Sequence, residues 1–182
     1  MPLNLADKAI ILTLGTVTAI GIVSLYEYDR KKTQYYNEAL NHCRAVGKPL
    51  LNAGCGFNPN YIGDINYDLI PKEKALLPNY QEGNVENMPF GDKQFGAVIC
   101  YDTIEHVDNP KQALAELQRV ADKVYIVSPH FWDFLAVFYS THKWWYYPEQ
   151  AIRINPLVFW ALLGGGLLTY IFLIRPKIEG SK

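Results

Sequence analysis

Leu50-Leu51-Asn52-Ala53 runs into Gly54-Cys55-Gly56, and the next short segment closes on an acid, Asp68. Glycines at such a turn let the main chain approach a bound molecule, and a carboxylate at a strand end can accept hydrogen bonds from ribose hydroxyls. Asn84 and Val85 follow a third short segment, and Tyr101 ends the strongly apolar Phe95–Tyr101, with Asp102 after it. Ligands of an open parallel sheet bind beyond the carboxyl ends of its strands. Gly54, Gly56, Asp68, Asn84, Val85, Tyr101 and Asp102 are therefore the candidate ligand-binding residues.

Asp102, Glu105, His106 and His130 are the candidate general acids or bases, with His106 and His130 as the catalytic candidates. His106 could deprotonate an acceptor, or could cap and pack ahead of the Asp108-Asn109-Pro110 turn. No carboxylate pair has the setting of a hydrolase, and the four histidines show no metal-ligand spacing, so no metal site is expected. Cys43, Cys55 and Cys100 are an odd number at spacings that match no zinc pattern, which reads as reduced thiols.

The elements that must position these residues alternate. Leu50–Ala53 reads as a buried strand, Tyr61–Leu69 as a second and Asn79–Gly83 as a third. Phe95–Tyr101 is the clearest strand, suited to the centre of a sheet covered on both faces. Pro110–Ala121 places Ala113, Leu114, Leu117 and Val120 on one face of a helix opened by Asn109, and Lys123–Ser128 returns as a strand. Strands alternating with helices predict a parallel sheet with right-handed crossovers.

The order of these pieces resembles a known family. Leu51-Asn52-Ala53-Gly54-Cys55-Gly56, Gly63–Leu69 ending on Asp68, Gly83–Phe95 with its Met88-Pro89-Phe90-Gly91-Asp92, and Ile104-Glu105-His106-Val107 together resemble the small class I S-adenosylmethionine-dependent methyltransferases. His142–Glu149 is similar to the segment after their fifth strand. The resemblance implies S-adenosylmethionine as cofactor: Gly54, Gly56 and Asp68 at its methionine and ribose parts, Asn84 and Val85 at the adenine, Tyr101 and Asp102 closing the pocket. Against the family pattern, Asn52 and Asn84 stand where acids are common and Gly96 where an aspartate is usual. The link from Gly56 to Asp68 is too short for most of a helix, and the segment after Pro148 leaves no room for the last two of seven strands.

Acids and bases are scattered around a net charge of −1, with no basic face for nucleic acid. Ala9–Tyr26 and Ile154–Ile174 are uncharged runs near the length of a bilayer core. Phe131–Tyr147 is rich in tryptophan, tyrosine and phenylalanine, which suit a membrane boundary or a docking surface. The expectation is an α/β chain: a Rossmann-like, mostly parallel sheet of about five strands flanked by N-terminal and C-terminal transmembrane helices. Residues 1–47 would be anchor and stalk, 48–150 the methyltransferase-like domain, and 151–182 a second membrane helix and tail. The domain would face the cytosol, with membrane lipid, other membrane-protein subunits and a small-molecule or lipid-like acceptor as partners. The alternative is a non-catalytic structural subunit of a membrane complex or membrane-containing particle.

Overall fold

The computed structural model describes residues 5–129, 142–147 and 150–153. Five strands form one sheet: β1 (Leu50–Ala53), β2 (Ile65–Asp68), β3 (Tyr80–Glu82), β4 (Phe95–Tyr101) and β5 (Ala121–Val127). Their order is β3-β2-β1-β4-β5, all parallel, with Leu51 opposite Ile65 on one side and Val98 on the other. This is the Rossmann-like α/β sheet the sequence predicts. All seven residues of β4 are buried, as a central strand covered on both faces requires.

Two helices supply that cover. α2 (Pro110–Val120) is capped by Asn109, whose side chain accepts from the Gln112 N–H at 3.2 Å, with Pro110 in the first turn. It lays Ala113, Leu117 and Val120 against Leu51, Val98 and Cys100. Its Arg119 and Glu116 also hold residues 88–92. Glu116 accepts from the Met88 N–H at 2.7 Å, while Arg119 donates to the Phe90 and Met88 carbonyls at 2.7 and 3.0 Å.

The opposite face belongs to α1 (Leu5–Val46), a helix of 42 residues. Gly47, at φ +67°, ends it, and the Lys48 N–H reaches back to the Cys43 carbonyl at 3.2 Å. Ala39 and Cys43 pack on Leu50, Ala97, Ile99 and Tyr101. Gly96 makes the contact close: a Cβ there would lie 3.0 Å from Val46 Cγ2 and 3.1 Å from Cys43 Cα. The departure from the family's usual aspartate thus has a packing cause.

β1 and β2 are joined without a helix. Residues 54–64 instead run over the α1 face, where Tyr61 stacks edge-on against Tyr36 and Tyr101 at 5.4 and 5.2 Å. The buried Asn52 amide donates to the Tyr61 carbonyl and to Asn66 Oδ1, and Asn66 bonds the Gly63 N–H and carbonyl. An acid at position 52 would have no hydrogen to donate to the Tyr61 carbonyl, which accounts for that second departure. Because Asn66 closes this turn at Gly63, β2 begins at Ile65 rather than at the expected Tyr61. β5 starts at Ala121, directly after α2.

A hairpin was not foreseen. β6 (Trp144–Tyr147) pairs antiparallel with β7 (Gln150–Arg153), Trp144 opposite Arg153. It takes the end of the aromatic run and crosses the boundary drawn between residues 150 and 151. The rest of that run to residue 141, and the apolar run Ile154–Ile174, lie outside the described residues. Ala9–Tyr26 is the first part of α1, continuous with its docked half, and Ile11, Leu12, Ile22, Val23, Leu25 and Tyr26 are exposed. Among the described residues, no helix is long and apolar enough to cross a membrane. The N-terminal transmembrane helix of the sequence reading is therefore not supported, and the C-terminal one lies outside the described residues.

Replacing Gly96 by aspartate would push a charged side chain into Cys43 and Val46. Overpacking of this kind costs about 1–3 kcal/mol. Gly96→Asp is expected to lower stability by at least that much in urea unfolding, and a wild-type midpoint would show that α1 does not dock on β4 as described.

Candidate functional site

The strand order reverses between β1 and β4, so the chain leaving β1 and the chain leaving β4 diverge and open a crevice at their carboxyl ends. A cavity of about 300 Å³ lies there, at the small end of the range for small-molecule sites. Gly54, Gly56, Asp68, Asn84, Val85 and Asp102 line it, six of the seven residues expected to bind cofactor.

Gly54 turns the chain at φ +74°, with its N–H on the Tyr67 carbonyl at 2.7 Å. A Cβ there would sit 1.9 Å from Thr103 Oγ1, whose hydroxyl donates to the Gly54 carbonyl at 3.1 Å. Gly56 adopts φ +53° with open space where its Cβ would be. Asp68 ties the two loops together: Oδ2 accepts from the Gly56 N–H at 2.8 Å and Oδ1 from the Ile70 N–H at 3.2 Å. Each carboxylate oxygen keeps acceptor capacity beyond these single bonds. Asn84 takes the Glu86 N–H on its side-chain oxygen at 2.9 Å, which shapes the turn after β3.

Tyr101 is a correction. Strand alternation turns it away from the cavity onto the α1 face, where it is buried against Tyr61 and donates to the Lys32 carbonyl at 3.1 Å. Asp102 does reach the cavity, at φ +51°, and α1 holds its carboxylate: Lys32 Nζ lies 2.5 Å away and the Tyr28 hydroxyl donates to it. Lys32 is buried, and burial draws its pKa below the ordinary lysine value. Gly83, Thr103 and Lys143 also line the cavity and were missed. Lys143 pairs with Asp108 at 2.6 Å across residues far apart in sequence, a contact no local pattern signals.

Glu105 and His106 follow on the 104–106 turn. His106 lines the cavity; Glu105 is 1% exposed, and burial pushes its carboxyl up to about 8. The hairpin brings His142 beside them, with ring centroids of His106 and His142 4.7 Å apart. One ligand atom from each of Glu105, His106 and His142 lies within 4.8 Å of the others. The sequence reading expects no metal-ligand grouping; the fold brings these three potential ligand atoms together across a spacing from Glu105 to His142 that no local pattern signals. His130, the other catalytic candidate, lies outside the described residues. The three cysteines are free and buried, and burial raises Cys55 and Cys100 to about 12, which leaves no reactive thiolate there.

A doubly covered parallel sheet with a glycine turn after β1, an acid after β2 and a cavity at the switch point defines a Rossmann-like ligand-binding domain. Residues 51–124, from β1 into β5, match the family model described as a methyltransferase domain, which supports the resemblance of this part of the chain to the class I S-adenosylmethionine-dependent methyltransferases. No curated protein matches the chain significantly.

Gly54→Ala tests the turn itself. The positive φ and the collision with Thr103 together are expected to cost about 1–3 kcal/mol, read as a lowered denaturation midpoint. Tolerance of alanine would contradict the close Gly54–Thr103 approach.

Proposed function

We propose that the chain binds S-adenosylmethionine in the β1–β4 cavity and transfers its methyl group to a small or lipid-like acceptor at a membrane surface. The observation that carries this reading is Asp68, at the end of β2, holding the Gly56 turn by one oxygen and residue 70 by the other while lining the cavity. The residues suit such a ligand. Gly54 and Gly56 leave main chain exposed to a close approach, Asp68 can accept from ribose hydroxyls, and Asn84 with Val85 provides a polar and an apolar contact for a base. Bound there, the cofactor would supply an electrophilic methyl carbon on a sulfonium. The protein's part is to orient an acceptor in line with it and to exclude water, since methyl transfer depends more on alignment than on a particular base. With no cation bound to it, His106, which lines the same cavity, would take a proton from an acceptor there.

Calorimetric titration with S-adenosylmethionine and S-adenosylhomocysteine tests the site. Loss of hydrogen bonds to a charged group is worth about 1.5–3 kcal/mol, so Asp68→Ala and Asp68→Asn are expected to weaken binding by roughly 10- to 150-fold. Unchanged affinity in both would remove Asp68 from the site. Wild-type protein that binds neither compound would favour the non-catalytic subunit.

The membrane part of the proposal rests on the first half of α1. At 1.5 Å per residue the helix is about 63 Å long. Its second half packs on the sheet, while Ala9–Tyr26 carries no charge and, among the described side chains, exposes Ile11, Leu12, Ile22, Val23, Leu25 and Tyr26. Apolar surface of this extent is characteristic of interaction with a membrane or a partner. Deleting residues 1–26 keeps Tyr28 and Lys32 in place, and is expected to abolish co-flotation with phospholipid vesicles. Full flotation of the deleted protein would take this role away from α1.

A further inference from the structure

We propose that Glu105, His106 and His142 form a binding site for one divalent transition-metal cation, such as zinc, manganese(II) or iron(II), at the wall of the cavity. Two imidazoles and one carboxylate, with ligand atoms mutually within 4.8 Å, are a ligand set that zinc and non-haem iron accept while keeping positions open for other ligands. The second observation is independent of that spacing. Glu105 is 1% exposed, and among the described residues neither of its carboxylate oxygens has a hydrogen-bond partner. A buried carboxylate without partners is strongly unfavourable unless a cation or a proton compensates it. The nearby ammonium of Lys32 is already engaged by Asp102.

The scaffold that assembles the three residues is built from main-chain bonds and does not depend on the cation. The Lys143 and Trp144 N–H groups both donate to the Glu105 carbonyl, at 2.7 and 3.2 Å, and the Trp144 indole donates to the Val107 carbonyl at 2.8 Å. The His106 N–H donates to the Thr103 carbonyl at 2.9 Å. These bonds fasten the start of β6 to the 103–107 turn and fix His142 next to Glu105 and His106. Such prior ordering lowers the entropic cost of binding a metal. His106 lines the cavity, so a cation on it would offer its open positions to an oxygen ligand of a molecule held there, a hydroxyl or carboxylate of the acceptor. That last role alone rests on the methyltransferase reading.

The test is titration of the full-length, chelator-treated protein with Zn²⁺ and Mn²⁺ by calorimetry, and with Co²⁺ by visible absorption, all without S-adenosylmethionine. One equivalent of metal is expected to bind, with cobalt bands characteristic of nitrogen and oxygen ligation. Glu105→Gln, His106→Ala and His142→Ala should each weaken binding by about tenfold or more, whereas His42→Gln, on α1, should not. The cobalt spectrum of the wild-type protein gives an answer even if a variant fails to fold. Absence of saturable binding by all three metals, or binding that all three site variants leave intact, would overturn the site. Because no methyl donor is present, either result is separate from the outcome of the S-adenosylmethionine titration.

Discussion

A parallel sheet needs both faces covered, and this chain lacks the helix that would join β1 to β2. The docking of α1 resolves that constraint, and much else in the structure depends on it. Leu50, Ala97 and Ile99 are almost fully buried on this face. Burying a leucine or isoleucine contributes roughly 1.5–3 kcal/mol, so the α1 interface is a main part of the core. Gly96 allows the close approach, Tyr61 and Tyr36 fill the space left by the missing helix, and the Asn52–Asn66 amides hold the short connection in place.

The same docking reaches the site. Lys32 and Tyr28 come from α1 and fix Asp102 at the carboxyl end of β4, so the element that covers the sheet also shapes one wall of the cavity. The opposite face is organised by α2, whose Glu116 and Arg119 grip residues 88–92 and so position the turn after β3 that carries Asn84 and Val85. The hairpin contributes the remaining wall through its bonds to the Glu105 carbonyl. Three elements distant in sequence thus converge on one cavity, each fastened by hydrogen bonds or packing that exist without a ligand.

Where a local pattern determines structure, the sequence was legible. Phe95–Tyr101 is uniformly apolar and is β4; Asn109-Pro110 followed by an amphipathic pattern is the start of α2. Gly54, Gly56, Asp68, Asn84, Val85 and Asp102 could be placed because strand ends in a parallel sheet share one edge. Tyr101 was misplaced because neighbouring residues on a strand face opposite sides, and identifying its side required knowing where α1 lies. The β6–β7 hairpin and the grouping of His142 with Glu105 and His106 arise from tertiary contacts, which no spacing along the chain reveals. The two asparagines at Asn52 and Asn66 are ordinary residues locally; only the short connection makes their amides necessary.

The proposed binding of S-adenosylmethionine lies between the carboxyl ends of β1 and β4. The most direct measurement is amide hydrogen exchange with and without saturating S-adenosylhomocysteine. Slower exchange at residues 54–57, 68–70 and 83–86, with the outer half of α1 unchanged, is the expected result. Unaltered exchange in all three segments while the ligand is bound would contradict the assignment of this cavity.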